Sequence, residues 1–355
     1  MSAARPAGAP GGRPLTILVS AVGAPGAGRL LRALRENGER EVRLVGTDMG
    51  ERAIGRHVCD AFHRVPAGGA PEFADTILEI CQREHVDVVL PESSFDLEGL
   101  AHARRRFAEE GITVMVSSEE SIARANDKGS AGELLERLGL PTPESRRVQG
   151  GPAVAAAARE LGYPDRPVCF KPVFGSGSRG FRVLDPTVDR AHQLLHEKPG
   201  ATAMRLEEAV ELLPAEGGPE LLVMELASGP ERTVDGFADG TGIVLGHAKT
   251  RESVRSGLAM YFVTLDEPEL LEQCERLIGA LGIEHFFNIQ LIGRHFIEVN
   301  PRISTVVYQE DFNLPWLGVK WALGLISTDA AKAEAAKIRP GRTALRYFDQ
   351  VEFDA

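Results

Sequence analysis

Short apolar runs, each closed by a cluster of turn residues and followed by leucines at helical spacing, repeat through the first third of the chain. Leu15 to Ala21 is the first run, and it leads through the turn Gly23-Ala-Pro-Gly26-Ala-Gly28 into Leu30, Leu31 and Leu34. Val42 to Val45 ends in Gly-Thr-Asp48, Val86 to Leu90 in Pro91-Glu92, and Ile112 to Val116 in Ser117-Ser118. Strands that alternate with helices predict βαβ units and a parallel sheet covered on both faces. Residues 15–117 are therefore expected to form a doubly wound α/β domain, behind a disordered tail at 1–14. Ser117-x-x-Glu120 reads as a capping box, and the helical face of Leu134, Leu135 and Leu138 is stopped by Gly139 and Leu140-Pro-Thr-Pro143.

Beyond Pro143 the texture changes to shorter strands: Val168 to Phe174, Phe181 to Leu184, Leu221 to Leu226, Thr233 to Phe237 and Ile243 to His247. Asp239-Gly240 is a hairpin signal between the last two. With helices expected at 153–162, 187–196 and 268–281, residues 118–328 predict an α+β domain, followed by a surface helix and a final strand in 329–355.

Composition narrows the function classes. The chain has 355 residues and a net charge of −11, which repels nucleic-acid phosphates and anionic lipid alike, so neither is an expected partner. The four cysteines lie far apart with no C-x-x-C pair, as in a cytoplasmic protein with reduced thiols. The arginines of the opening segment have no apolar stretch behind them, which argues against a signal peptide, and no later run approaches a membrane span. No lysine follows a glycine, which excludes a Walker loop. The serines of Gly175-Ser-Gly-Ser-Arg-Gly180 miss the spacing of a nucleophile elbow, and Gln193 after His192 lacks the carboxylate of a zinc-peptidase helix.

The segment Phe287 to Arg302, FNIQLIGRHFIEVNPR, carries the strongest local signal. A three-residue loop at Gly293-Arg294-His295 would set Ile292 opposite Phe296 and Gln290 opposite Glu298. Alternation then gathers Asn288, Gln290, Glu298 and Asn300 on one face and leaves Ile289, Leu291, Ile297 and Val299 on the other. The oxygen-bearing face is a donor set that suits Mg²⁺ beside phosphate. Upstream, Lys171 ends a strand and leads into the glycine loop, whose Gly175, Ser176, Gly177, Ser178 and Gly180 can turn backbone N–H groups toward phosphate oxygens.

From the first strand to about Ile326 the chain resembles the ATP-grasp superfamily, most closely its carbamoyl-phosphate-synthetase-large-subunit-like branch. The resemblance rests on an ordered set: Asn126-Asp-Lys128; Phe170-Lys171-Pro with the glycine loop; Met224-Glu225-Leu226; Gly229-Pro-Glu231-Arg-Thr-Val-Asp235; and Asn288-Ile-Gln290 with Glu298-Val-Asn300-Pro-Arg302. It implies a pre-ATP-grasp domain at 15–117 and a two-lobed ATP-grasp domain at 118–328, with a lid lobe at about 142–225. It also implies that Lys128 and Lys171 hold the inner phosphates of ATP, that Glu225 and the Leu226 backbone bind adenine, and that Glu231 binds the ribose. Gln290, Glu298 and Asn300 would ligate one or two Mg²⁺, with Mn²⁺ as a substitute, and Arg302 would meet the transferred phosphoryl group.

The activity so implied is an ATP-dependent carboxylate–amine ligase that forms an amide through an acyl phosphate and releases ADP and phosphate. Its partners are a small-molecule carboxylic acid and an amine, with room left for a homodimer. Arg251 and Arg255 in KTRESVRSG lie on one face if that segment is helical and would fork a carboxylate, and Ser304 to Asn313 would complete the acceptor pocket. The alternatives are bicarbonate activation of the carbamoyl-phosphate type, a non-catalytic nucleotide-binding regulator, and a redox enzyme built on the first domain. Asp48 lies where a ribose-binding acid would stand, but the preceding glycines read G-x-x-G-x-G, so the loop is taken as structural or substrate-facing. Asp96 and Glu98 read as helix-start acids.

Overall fold

A computed structural model of the chain describes residues 13–175, 177, 179–197, 200, 202–255, 257–304 and 312–353. Most of the expected tail, Ser176 and Ser178 of the glycine loop, and 305–311 of the expected acceptor loop lie outside the described residues. The described chain divides into two compact units. One lies within Met1–Ala123, Arg232–Ile289 and Asn300–Ala355, the other within Arg124–Glu231 and Gln290–Val299. Among the described residues no helix is long and apolar enough to cross a membrane.

The first unit begins with β1 (Leu15–Val19), β2 (Val42–Asp48), β3 (Ala61–Arg64), β4 (Val88–Leu90) and β5 (Thr113–Val114). They form a parallel sheet in the order β3-β2-β1-β4-β5. The period of two along β1 decides how it is covered: Leu15, Ile17 and Val19 pack with Leu30, Leu31 and Leu34, while Leu18 packs with Phe73, Ile77 and Phe107. Strand order reverses between β1 and β4. In such sheets, ligands bind in the crevice beyond the strand ends at that point. Ser20 follows β1, and Pro91 and Glu92 follow β4.

The second unit holds β6 (Ser145–Val148), β7 (Val168–Pro172), β8 (Arg182–Leu184), β9 (Ala203–Met204) and β10 (Leu221–Glu225), in the order β6-β10-β7-β8-β9. Val168, Phe170, Leu221 and Val223 point to one face and pack with Val154, Ala158, Leu206 and Ala209 from two helices. The alternate residues Cys169, Leu222 and Met224 form a smaller cluster with Val173 and the partly buried Phe181, Val183 and Leu226. Lys171 shares that second face, opposite Leu222 in register.

The third sheet holds β11 (Glu231–Asp239), β12 (Ile243–Thr250), β13 (Glu252–Arg255), β14 (Leu258–Leu265), β15 (Glu284–Ile292), β16 (His295–Asn300) and β17 (Thr343–Leu345). Its order is β13-β14-β12-β11-β15-β16, with β17 on β14. The expected Asp239-Gly240 turn is there: Asp239 Oδ1 accepts from the N–H groups of Thr241 and Gly242, and Gly240 takes φ +89°.

Three local readings are corrected. The segment KTRESVRSG is not helical: Glu252–Arg255 is an exposed edge strand in register with β14, from Glu252 opposite Tyr261 to Arg255 opposite Leu258. Pairing with a partner strand that the periodicity did not reveal overrides the local helix-compatible spacing. The turn of the Phe287–Arg302 hairpin has two residues, Gly293 and Arg294, because β15 runs to Ile292 and β16 starts at His295. Alternation along β16 then slips, since Phe296 and Val299 are both buried while Ile297 and Glu298 between them are half-buried. Finally, the helix Glu119–Asn126 is capped by Ser118, whose hydroxyl accepts from Ser121 N–H at 3.1 Å, while Ser117 bonds both backbone groups of Glu284.

Phe286 joins the core of the first unit, edge-on to Phe237 with ring centroids 6.1 Å apart. Gly318 leaves its space to that ring, since a Cβ there would stand 2.3 Å from Phe286 Cζ. Phe286→Ala should cost ~3–5 kcal/mol, read as a lowered denaturation midpoint by circular dichroism. A loss below ~1 kcal/mol would show that this ring is not the packing centre described.

Candidate active site

In the second unit, three charged groups implied by the sequence converge. Lys171 follows from β7 onto the sheet face that carries no helices, and its Nζ donates to Ile297 O at 3.4 Å. Lys128 opens the helix Lys128–Arg137 behind its N-cap Asp127, whose Oδ1 accepts from Gly129 and Ser130. Its Nζ donates to Gly175 O at 2.6 Å, at the start of the glycine loop. Burial holds both ammonium groups below the usual lysine range, and Glu298 opposes that shift at each. Asp127 also acts on Lys128 but is paired with Arg147 at 3.1 Å, so the two ammoniums and Glu298 leave an excess of positive charge, which is an anion-binding arrangement. Gly175, Gly177 and Gly180 all have positive φ, and a Cβ at Gly180 would stand 2.7 Å from the Pro172 ring, so the loop keeps glycine for conformation and for space.

Glu225 and Leu226 end β10 in the same unit. Glu225 N–H donates to Glu144 O at 3.0 Å, Glu144 N–H donates to the Glu225 carboxylate at 3.4 Å, and that carboxylate also lies 3.5 Å from Arg166. The Leu226 N–H donates to Pro167 O at 3.0 Å, so of that backbone only the carbonyl is left for a ligand. Its side chain joins the apolar patch beside Lys171. Glu231 is half-buried at the start of β11, and Gln290 is half-buried in β15.

In the first unit, Asn300 Nδ2 donates to Asn288 Oδ1 at 3.4 Å. Asn288 Nδ2 donates in turn to Asp235 Oδ1 at 2.8 Å, and Asp235 Oδ2 pairs with Lys249 Nζ at 2.8 Å. Lys249 and Asp235 are 2% and 1% exposed. Arg302 Nε donates to Ser94 Oγ at 2.8 Å, and its NH1 donates to Ile303 O at 3.0 Å. Arg251 reaches back to Gly257 O at 2.8 Å, whereas Arg255 lies over the Phe348 ring, 4.9 Å from its centroid. The two therefore do not form the expected fork. Asp48 accepts from the N–H groups of Gly23 and Gly50 at 2.7 Å each, which ties the first glycine turn down as a structural loop.

These arrangements stand in a chain with recognisable relatives. Residues 17–115 match the family model for a PylC-like N-terminal domain, and residues 218–343 match the one described as ATP-grasp in the biosynthetic pathway with Ter operon. Residues 218–343 are thus similar to an ATP-grasp domain. Carbamoyl phosphate synthase large chains of Mycobacterium tuberculosis and Mycobacterium bovis are 28% identical over 228 residues, 59% of this chain. The chain spans 18% of their length.

Among solved structures, biotin carboxylase of Campylobacter jejuni superposes with TM-score 0.61 at 20% identity, covering 89% of this chain and 72% of that one. The L-amino acid ligase of Bacillus licheniformis gives 0.60 at 15% identity, covering 94% and 79%. The Staphylococcus aureus N5-carboxyaminoimidazole synthetase complexed with ADP gives 0.57 at 16%, covering 81% and 70%. At these identities the likeness is one of fold.

The chain also holds charged residues to which the sequence reading gave no role. Lys249 and Asp235 are one such pair, and Arg346 is another residue of this kind, close enough to act electrostatically on both Lys249 and Glu92. Glu92 is the third. It is 4% exposed, and neither carboxylate oxygen has a hydrogen-bond partner among the described residues. A buried carboxyl left unsatisfied costs ~1–3 kcal/mol. The signal that could have found Glu92 was its place after β4 at the switch point of the sheet.

Burial pushes Glu92 from the usual 4.5 up to about 8, against the opposing pull of Arg302 and Arg346. Between those values the folded chain holds a proton that the unfolded chain has released. The stability linked to Glu92 is thus full below 4.5 and is lost as the pH rises through about 8. Thermal melts should show Glu92→Gln gaining on the wild type across that interval, with the difference flat at more acid pH. A difference independent of pH would contradict the raised pKa.

Proposed function

We propose that the ATP-grasp chain is an ADP-forming carboxylate–amine ligase that makes an amide through an acyl phosphate. The observation that carries this reading is the pair Lys128 and Lys171, held beside the glycine loop with Glu298 as their common counter-charge. In this reading the lysines take the inner phosphates of ATP. Adenine lies on the apolar patch of Leu222, Met224, Phe181 and Leu226, near the free carbonyl of Leu226. Glu225 and Glu231 are assigned to the adenine edge and the ribose.

Mg²⁺ would be held by Gln290, Glu298 and Asn300. The donor set fits a hard cation: Asn300 spends its Nδ2 on Asn288, which leaves the amide oxygen as acceptor, and Glu298 brings the one carboxylate. Because Glu298 also faces two ammoniums, such an ion would rely chiefly on nucleotide phosphates. When bound, Mg²⁺ neutralises charge on the phosphates.

A carboxylate oxygen of the acid attacks the γ-phosphorus and ADP departs. The amine nitrogen then attacks the acyl carbon and phosphate departs. Neither step needs a protein nucleophile, and what the chain supplies is positive charge and alignment. Arg302, oriented by Ser94, is assigned to the transferred phosphoryl group. The acid is assigned to the cationic surroundings of Arg251, Lys249 and Arg346, in place of a fork between Arg251 and Arg255. The L-amino acid ligase and the N5-carboxyaminoimidazole synthetase among the fold neighbours support this class of reaction, as their names state.

Lys171→Ala and Lys128→Ala should each weaken ATP binding by ~1.5–3 kcal/mol, roughly tenfold or more, in calorimetric titration. Unchanged affinity in a folded Lys171→Ala protein would remove the phosphate role. Arg302→Ala should instead lower kcat by ~10²–10³ while ATP affinity stays within a few-fold. Screening carboxylic acids with hydroxylamine should yield ADP, phosphate and a hydroxamate. Detection of AMP and pyrophosphate as the products would rule out the acyl phosphate.

A further inference from the structure

Around Glu92, just past the end of β4, charged side chains meet from five places in the first unit. Glu92 follows β4, Asp96 precedes the helix Leu97–Glu109, Asp48 ends β2, Arg302 follows β16, and Arg346 follows β17. All four others act on the charge of Glu92. Asp96 is itself 6% exposed and accepts a hydrogen bond from Ser20 Oγ at 2.5 Å. Asp48 is occupied by two backbone N–H groups. Of the three acids, only Glu92 is buried with both oxygens unpartnered among the described residues. Such a group is explained by a ligand that completes it.

We propose that Glu92 is the docking point for the ammonium group of the amine substrate, and that it takes the proton this amine must lose before it can attack. The proposal deepens the ligase reading and rests on it for the fate of the amine. Glu92 can make only two kinds of bond: a neutral carboxyl donates one and accepts others, and a carboxylate only accepts. Asp48 and Asp96 offset the charges of Arg302 and Arg346 around Glu92, so an entering ammonium meets no net positive charge there. The two arginines keep the ionised form within reach, and one of them, Arg302, is the residue assigned to the phosphoryl group.

On docking, Glu92 releases its own proton to solvent and faces R–NH₃⁺ as a carboxylate. One N–H proton then passes to a Glu92 oxygen, leaving R–NH₂ with a free electron pair. That pair forms the C–N bond at the acyl phosphate as the carbon–oxygen bond to phosphate breaks. The phosphate leaves with the bonding electrons and takes the second proton from nitrogen. Glu92 is left protonated, as it was before the amine docked, and the cycle closes.

The test is calorimetric titration of the full chain with n-propylamine at about pH 7, in two buffers of different ionisation enthalpy. The wild type should bind the amine and release about one proton per amine bound, because Glu92 enters protonated and the amine enters as ammonium. Titration with n-propanol, of the same size without the charge, should release none. Glu92→Gln matches the neutral acid in shape. It should weaken propylamine binding roughly tenfold or more and abolish proton release. Glu92→Asp should restore part of both, an outcome a merely structural role would not produce. No binding of propylamine, equal binding by Glu92→Gln, or heats that do not depend on buffer would overturn the proposal. ADP release is measured separately, so a chain that binds propylamine through Glu92 but never turns over would keep the site and lose the ligase reading.

Discussion

An ionisable side chain withdrawn from water must either find a counter-charge, give up its own charge, or wait for a ligand. The candidate chemistry of this chain follows from how that constraint is met at three places. Lys249 has Asp235 as its counter-charge, and Asn288 holds the other oxygen of that carboxylate. Lys128 and Lys171 are met in part, because Glu298 must serve both. Glu92 has no hydrogen-bond partner among the described residues and is held largely neutral near pH 7. In the proposed reading the degree of compensation sorts the groups by role: the paired Lys249 and Asp235 position their neighbours, and the less compensated groups are assigned to ligands.

The Phe287–Arg302 hairpin is where this sorting is organised. Its outer part, with Gln290 and Glu298, belongs to the unit that carries the lysines. Its base, with Asn288 and Asn300, is tied through Asp235 to the buried lysine of the third sheet. Glu298 acts on both ammoniums, while Asn300, two residues on, reaches Asn288. Arg302, two residues on, is then fixed by Ser94, which follows the central strands of the first sheet. The N-terminal domain thus orients a residue of the ATP-grasp domain.

Glu92 and the nucleotide lysines differ in what they ask of the surrounding fold. The lysines stand at the end of β7 and the start of a helix, where local geometry suffices to aim them. Glu92 depends on neighbours brought from β2, β16 and β17, far apart in the chain. Its environment therefore exists only when the first sheet and the third are both folded.

By itself the sequence determined those features whose cause is local. The βαβ periodicity of the first domain, the Asp239-Gly240 turn, Lys128 at a helix start and Lys171 at a strand end each follow from residues within a few positions of one another. Tertiary structure decided the rest. The strand at Glu252–Arg255 exists because β14 offers it an edge, and Arg251 and Arg255 have separate contacts, with Gly257 O and the Phe348 ring. The two-residue turn and the slip in β16 depend on what each strand packs against, and periodicity reports a face without fixing its register. Whether Lys249 or Glu92 finds a partner is likewise invisible in a linear pattern. Burial and charge compensation depend on distances in space, and those are set only when remote segments meet.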